Sequence, residues 1–474
     1  MPLILPGNVA SATAAAGYDV ANSVRLNSAD SPKLAKTPGG AGNRRTWTFS
    51  CWCKKDYADA SNLLCLFGSR VDGSDNVHFG FSGDQLELKI EISDTVTRVK
   101  SAAFFIDCSS WYHIVAKVDT TQATAANRVK LYVNGVVISH FATEQYPAEN
   151  GDTSTNNACA HTVGDSGNNS HYFPGYMAEV CLIDGSALAP TSFGEYDSDS
   201  PSIWKPIDVS GLSFGTNGFY LDFEASDNLG NDANGGTDLD ETNLAATDQT
   251  TDTPTNSFAT WNSLTNRDAG NGTWTEGNLR IVASGGDVSR YCTHPIPLNF
   301  KFYFEVKAPI VGAQAGCGVT SVHDPSGART KVGDHSTGYG WKFRGAASVV
   351  QYFNASTASN HATSNPSDDS IMGFAVDCAN GRIHMHINGT YLDSSDPTDN
   401  DPNSVVTGFS TTVPQYLHTS LDTRGHSQTI MEFNFGNPVF SISSGNSDAN
   451  GYGNFEYSVP SGYLAFCTKN MADF

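Results

Sequence analysis

The sequence predicts an all-β protein: two antiparallel β-sandwiches joined by an acidic linker. Three observations carry this reading. Only 16% of the 474 residues are charged, 45 are glycine, and Ser, Thr, Asn and Asp abound, a composition that long helices and coiled coils do not have. Short segments of alternating bulky and polar residues recur along the whole chain, and no amphipathic helix exceeds two turns. A hairpin pattern of an alternating strand ending in Asn-Gly occurs once in each half.

Taken in order, Trp47 to Cys53, Glu87 to Ile92, Phe302 to Lys307 and Ile430 to Gly436 alternate as half-buried strands do. Arg128 to Gly135 is a period-two strand ending in Asn-Gly, and Arg382 to Gly389 repeats the pattern. Asn-Gly between alternating segments marks a hairpin whose two central residues take positive φ. Each copy follows a strand ending in Asp, Ile114 to Asp119 and Gly373 to Asp377. The shared order of strand, Asp, loop, strand and Asn-Gly argues for two sandwiches of similar construction.

Between them, Ala225 to Ser257 carries seven acids (Asp227, Asp232, Asp238, Asp240, Glu241, Asp248 and Asp252) and neither a basic nor an aromatic residue. Such a stretch has little apolar surface to offset its ordering entropy. The expected organisation is an N-terminal arm over 1–22, a first sandwich over 23–224, an acidic linker over 225–260 and a second sandwich over 261–474. The linker is expected to run irregularly over the surface, or to be ordered only by contacts borrowed from a sandwich, another copy or a cation.

The net charge of −22 argues against nucleic acid and anionic membranes as partners, and no apolar run is long enough for a membrane span. The N-terminus lacks the pattern of a signal peptide. The ten cysteines are scattered and indicate no disulfide framework, which suits a reducing cytoplasm; oxidising secretion with a few bridges remains the alternative.

Three stretches of the N-terminal half resemble the concanavalin A-like laminin-G superfamily: Arg45 to Trp52, Trp111 through Asp119 to Gly135, and Phe173 to Val180 with Leu182 to Leu188. Where that family commonly has Asp-Glu after Gly-Tyr-x, this chain has Ala178-Glu179, one carboxylate fewer. The C-terminal half resembles a SPRY domain in Lys301 to Val306, Gly338 to Trp341, Gly373 to Asp377, His386 to Gly389 and Glu432 to Gly436. That resemblance implies partner binding through loops and no catalytic apparatus. The combination also resembles structural proteins of tailed bacteriophages, through Ser23 to Asn27, Asn43 to Phe49, Trp204 to Pro206 and Asp252 to Asn256. It implies a virion protein, on the tail or capsid surface and assembled in the host cytoplasm. The arm would contact other virion proteins, and the chain would form a homo-oligomer, with a trimer as the form usual for fibres.

No catalytic constellation stands out. Glu87 and Glu91 share a strand face, as a retaining glycosidase pair would, but lack the surrounding pattern. His384 and His386 also share a face, more simply as a sandwich strand than as metal ligands. The loop Asp165 to Tyr172 is rich in oxygen ligands and precedes the Gly-Tyr strand. Asn168, Asn169, His171 and Tyr172 are the glycan-binding candidates there, with His171 and Tyr172 as stacking rings, and Asp165 is the metal candidate. Calcium is the one cofactor left open. Trp52, Trp111 and Trp341 read as core residues, and Trp204, Trp261 and Trp274 as packing at domain edges. The expected function is a non-enzymatic tail fibre or adhesin binding host-surface polysaccharide, the alternatives being a capsid decoration or connector protein and a polysaccharide depolymerase.

Overall fold

A computed structural model describes residues 17–474 except 266–270, 285, 312–313, 323–330, 334, 345–348, 362–365, 400–405 and 424–427. Most of the arm, residues 1–16, thus lies outside the described residues. The chain divides into two units, Met1–Asn256 and Ser257–Phe474. It is all-β, with 45% strand and 5% helix.

The first unit packs two antiparallel sheets face to face. One runs in the order Val136–Val137, Val129–Val133, Tyr112–Asp119, Thr46–Lys55, Gly175–Asp184, Ser23–Leu26, Gln249–Thr250, with Phe219–Leu221 also pairing on Gly175–Asp184. The other runs Phe141–Glu144, Thr95–Phe104, Gln85–Ile92, Asn76–Ser82, Leu63–Arg70, Ala160–Val163, Lys33–Lys36, Asp240–Thr242. Alternation puts Phe49, Val77, Phe79, Phe81, Leu88, Ile114 and Met177 into the layer between them.

The outer face of the first sheet is buried as well. Val115, Cys181 and Ile183 pack under Phe193, Val209 and Phe214, while Trp52, Trp111 and Tyr176 pack with Val20 and Trp204. Trp52 and Trp111 are therefore buried on the outside of that sheet rather than between the two. Trp204 stacks on His113 at 5.9 Å and lies against Gly135, where a Cβ would come within 2.5 Å of the ring.

The acidic stretch is not a linker. Asp240–Thr242 pairs with Lys33–Lys36, and Gln249–Thr250 with Ser23–Leu26, so the stretch closes one end of both sheets. Leu229 and Leu239 enter the core. Its charge is met by cations from distant parts of the chain. Lys54 Nζ lies 2.5 Å from Asp252 Oδ2, both groups being buried, and Lys36 Nζ lies 3.8 Å from Asp232. Trp111 Nε1 donates to Asp252 Oδ1, and Lys54 sits over the Tyr176 ring.

The second unit repeats the plan. Its larger sheet runs Gly272–Thr275, Arg280–Ala283, Thr429–Asn434, Lys301–Ile310, Ser370–Asp377, Arg382–Ile387, Thr390–Tyr391. Val406–Thr407 and Leu464–Ala465 attach to Arg382–Ile387 and Lys301–Ile310. The smaller sheet runs Asp287–Tyr291, Tyr416–Asp422, Gln314–Thr320, Gly338–Arg344, Val349–Asn354, Thr357–His361. Trp261 and Trp341 are both core residues here, with Trp274 packed against the core. Trp261 and Trp274 were expected at domain edges; Trp261 instead packs on Phe433 and Phe435.

The two hairpins match in detail. Asn134 and Gly135 have φ of 48° and 77°, Asn388 and Gly389 of 48° and 83°. In each, the Asn side chain accepts the backbone N–H at the start of the facing strand region, His113 or Ile371. In each, the glycine lies against an aromatic ring, Trp204 or Tyr457.

All ten cysteines are free and buried. Among the described residues no helix is long and apolar enough to cross a membrane.

Several buried histidines are held neutral by geometry. His113 Nδ1 accepts from Trp204 Nε1–H at 3.0 Å, so its proton sits on Nε2, 2.9 Å from Ser50 Oγ. His161 Nε2 accepts from the Asn156 N–H, leaving Nδ1–H for the Cys159 carbonyl. Burial lowers His113 to about 3 and His161 to about 4, against an ordinary 6.5. Below pH 6.5 the unfolded chain takes up protons that these folded imidazoles refuse. The stability they contribute is thus present above pH 6.5 and lost as pH falls toward 4 and 3, each steepening the loss by up to about 1.4 kcal/mol per pH unit. Glu179, pushed up to about 7 by burial, works the other way: its contribution is present below 4.5 and lost as pH rises through 7. The imidazoles lowered by burial, His78, His386 and His418 as well as His113 and His161, outnumber the raised carboxyls Glu179, Glu305 and Glu432, so thermal melts should show the midpoint falling as pH drops from 6 to 4.5. A flat profile would contradict the neutral assignment.

Candidate functional site

Among the described residues, the second sheet of the first unit presents a polar outer face without an apolar cover. Its register sets the side chains in rows. Gly68 pairs with His78, His78 with Lys89, and Lys89 with Arg98. The next row joins Arg70, Asn76 and Glu91, and a third sets Gly80 beside Glu87 and Glu87 beside Lys100. Paired residues lie on the same side of a sheet, and the intervening Val77, Phe79, Leu88 and Ile90 enter the core.

The carboxylates on this face are occupied. Glu91 Oε2 accepts from Lys89 Nζ at 2.7 Å and from Asn76 Nδ2 at 3.0 Å. The bond from Lys89 holds Glu91 below its usual pKa despite partial desolvation. Glu87 lies 3.7 Å from Arg98 Nε and 3.9 Å from Lys100 Nζ. By its bond from Lys89, Glu91 is held as a paired carboxylate.

The loop 165–172 folds onto the same face over Gly68, where a Cβ would come within 2.6 Å of the Ser166 carbonyl carbon. Asp165 builds the loop. It is fully buried, and its carboxylate accepts the backbone N–H groups of Gly167 (2.9 Å), Asn169 (3.3 Å) and Ser170 (3.0 Å). The carboxylate expected as the metal candidate is thus engaged in closing its own turn. Among the described residues no cluster of three or more His, Cys, Asp or Glu is arranged to hold a metal.

The glycan candidates divide by role. Asn168 is exposed, but its Oδ1 accepts from the Ser166 and Ser170 hydroxyls, at 2.6 and 2.5 Å, and is thus engaged within the loop. Asn169, at φ 58°, accepts from Lys33 Nζ, which ties the loop to the Lys33–Lys36 strand. His171, at φ 64°, is exposed and hydrogen-bonds Ser170 Oγ through Nδ1 at 2.8 Å. Its carbonyl accepts the Cys65 N–H. Tyr172 is half-buried.

Sequence reasoning missed Arg70 and His78. His78 is 9% exposed and its Nε2 is buried without a hydrogen-bond partner. Burial first, then the fields of Lys89, His171 and Arg70, lower its pKa to about 4. The alternation of Asn76 to Ser82 against Gln85 to Ile92 was a usable signal, but the register that brings Arg70, His78 and Lys89 together was not.

Other singled-out groups are structural. Glu179 sits in a bulge of the Gly175–Asp184 strand at φ 50° and accepts from Tyr220 Oη (2.8 Å) and Tyr18 Oη (3.2 Å). His386 is buried: Nδ1 accepts from the Gly389 N–H, and Nε2 is 2.8 Å from Tyr303 Oη, which donates to Glu305. With both nitrogens committed, it has no lone pair for a metal.

A model of the concanavalin A-like lectin/glucanases superfamily, Laminin_G_3, matches residues 29–191, most of the first sandwich. The first unit thus contains a concanavalin A-like laminin-G domain. Solved structures similar to the chain include the native heptameric SAP-like pentraxin from Limulus polyphemus, at 13% identity over 36% of this chain and 80% of that chain, with a TM-score of 0.28. Domains LG4-5 of the mouse laminin alpha1 chain match at 11% over 88% and 86%, with a TM-score of 0.29. The SPRY domain of human HERC1 matches at 12% over 33% and 87%, with a TM-score of 0.23. No curated protein matches the chain.

Proposed function

We propose that the chain is a non-enzymatic virion structural protein of the tail-fibre or adhesin type, binding host-surface glycan through the polar face of its first sandwich. One observation carries the binding part. The first sheet is covered on its outer side by Phe193, Trp204 and their neighbours, whereas the second sheet is left polar and rimmed by a loop that Asp165 holds in shape. A preformed, hydrogen-bonding rim loses little entropy on meeting a saccharide, and copies on a particle multiply a weak single site. The lectin-type family model over residues 29–191 supports the same reading.

The virion part rests on the sequence phrases Ser23 to Asn27, Asn43 to Phe49, Trp204 to Pro206 and Asp252 to Asn256. The non-enzymatic part rests on the ion-paired state of Glu87 and Glu91 and on the covered position of Glu179 beneath two tyrosines. Glycan-array binding and cell adsorption with purified protein test the proposal. Saccharide binding without release of reducing ends is the expected result. No binding at any valency, with infection unchanged when the protein is removed, would sink it. Electron microscopy of the particle separates a tail position from a capsid one.

A further inference from the structure

We infer that the saccharide held on this face is anionic, with a carboxylate or sulfate seated among Arg70, His78 and His171. The inference rests on the glycan-binding reading above and names its ligand class.

The argument is one of unmatched donors. On the polar face the acids are already paired, Glu91 with Lys89 and Asn76, Glu87 with Arg98 and Lys100. The groups left over can all donate. Arg70 projects on the same side as His78, its stem against Gly167 of the loop, with Cβ and Cδ 3.1 and 3.9 Å from where a glycine Cβ would stand. Its guanidinium has no hydrogen-bond or ion-pair partner among the described residues. The buried Nε2 of His78 lacks a partner too, and a buried polar atom left unmatched costs on the order of 1–3 kcal/mol. His171, exposed on the rim, adds a third imidazole or guanidinium group within electrostatic reach of His78.

A ligand that supplies acceptors with negative charge satisfies all three. A carboxylate or sulfate takes the two parallel N–H groups of a guanidinium and leaves oxygen for an imidazole. A neutral sugar hydroxyl satisfies Arg70 less well and leaves its charge unopposed. Charge counting on the face agrees. Arg70, Lys89, Arg98 and Lys100 stand against Glu87 and Glu91, a local excess of cations in a chain whose net charge is −22.

The test uses the full chain on size-matched neutral, uronate-bearing and sulfated oligosaccharides, with Arg70→Gln and His171→Asn alongside. Both replacements are on accessible positions, and Asn tolerates the positive φ of residue 171; thermal melts confirm that they fold. The charged arm is expected to bind at least about tenfold tighter than the neutral arm, weakening as salt rises. Arg70→Gln should remove most of that preference, and His171→Asn part of it. Comparison of the uronate and sulfate arms identifies which anion is read. Neutral saccharides bound as tightly as charged ones, or a preference untouched by Arg70→Gln, would overturn this inference and leave glycan binding standing. Binding to none of the arms would remove both.

Discussion

Truncation after Glu224 should abolish cooperative folding of the first sandwich, whereas truncation after Asn256 should preserve it. The residues between supply edge strands to both sheets, Asp240–Thr242 and Gln249–Thr250. They also bury Leu229 and Leu239. Loss of a buried leucine costs about 2–5 kcal/mol, and loss of Asp252 leaves Lys54 buried without its counter-charge, about 3–5 kcal/mol more. Together these approach or exceed the roughly 5–15 kcal/mol by which domains are stable. Calorimetry of the two fragments gives the answer: a sharp transition for 1–256 and none for 1–224. A cooperative transition in 1–224 would return the acidic stretch to the status of a linker. In the intact chain, protease should leave 225–255 uncut.

Asp252→Ala should be the most damaging single replacement of an acid in the first unit. Its carboxylate bonds Lys54 Nζ at 2.5 Å and Trp111 Nε1 at 3.1 Å, and all three groups are buried. Removing it takes the carboxylate from the buried Lys54 ammonium, for which the ring faces of Tyr176 and Trp111 compensate only in part. The expected loss is about 3–5 kcal/mol, or roughly 10 °C in the melting midpoint of a domain this size. Lys54→Met combined with Asp252→Leu should recover much of the loss, because it removes both charges together. A single replacement that costs under about 1 kcal/mol would mean that water reaches Lys54.

The strands and hairpins were legible because their signals are local. Asn134-Gly135 and Asn388-Gly389 need only a dipeptide between alternating runs, and both form the expected turn. The acidic stretch was misread for the opposite reason. Within its own window it holds no cation, but Lys54 and Lys36 lie some 200 residues away in the chain and reach it only once the sheets have formed. Trp261 failed similarly: its position before the first strand of the second unit suggested an edge, while Phe433 and Phe435 from the other end of that unit enclose it. At the site, the loop 165–172 was visible from composition. Asp165 followed by Ser, Gly and Asn is also the pattern of a carboxylate that caps its own turn, and the structure takes that course. Arg70 and His78 could not be found, because their meeting depends on the register of Leu63–Arg70 against Asn76–Ser82 and on which sheet is left without an apolar cover.

The central claim, that the polar face of the first sandwich is where glycan binds, is tested most directly by hydrogen–deuterium exchange of the full chain with and without the oligosaccharide it binds best. Protection is expected at 165–172 and at Leu63–Arg70, Asn76–Ser82 and Gln85–Ile92, with residues 257–474 unchanged. Protection confined to 257–474, or to the covered sheet around Trp204, would contradict it.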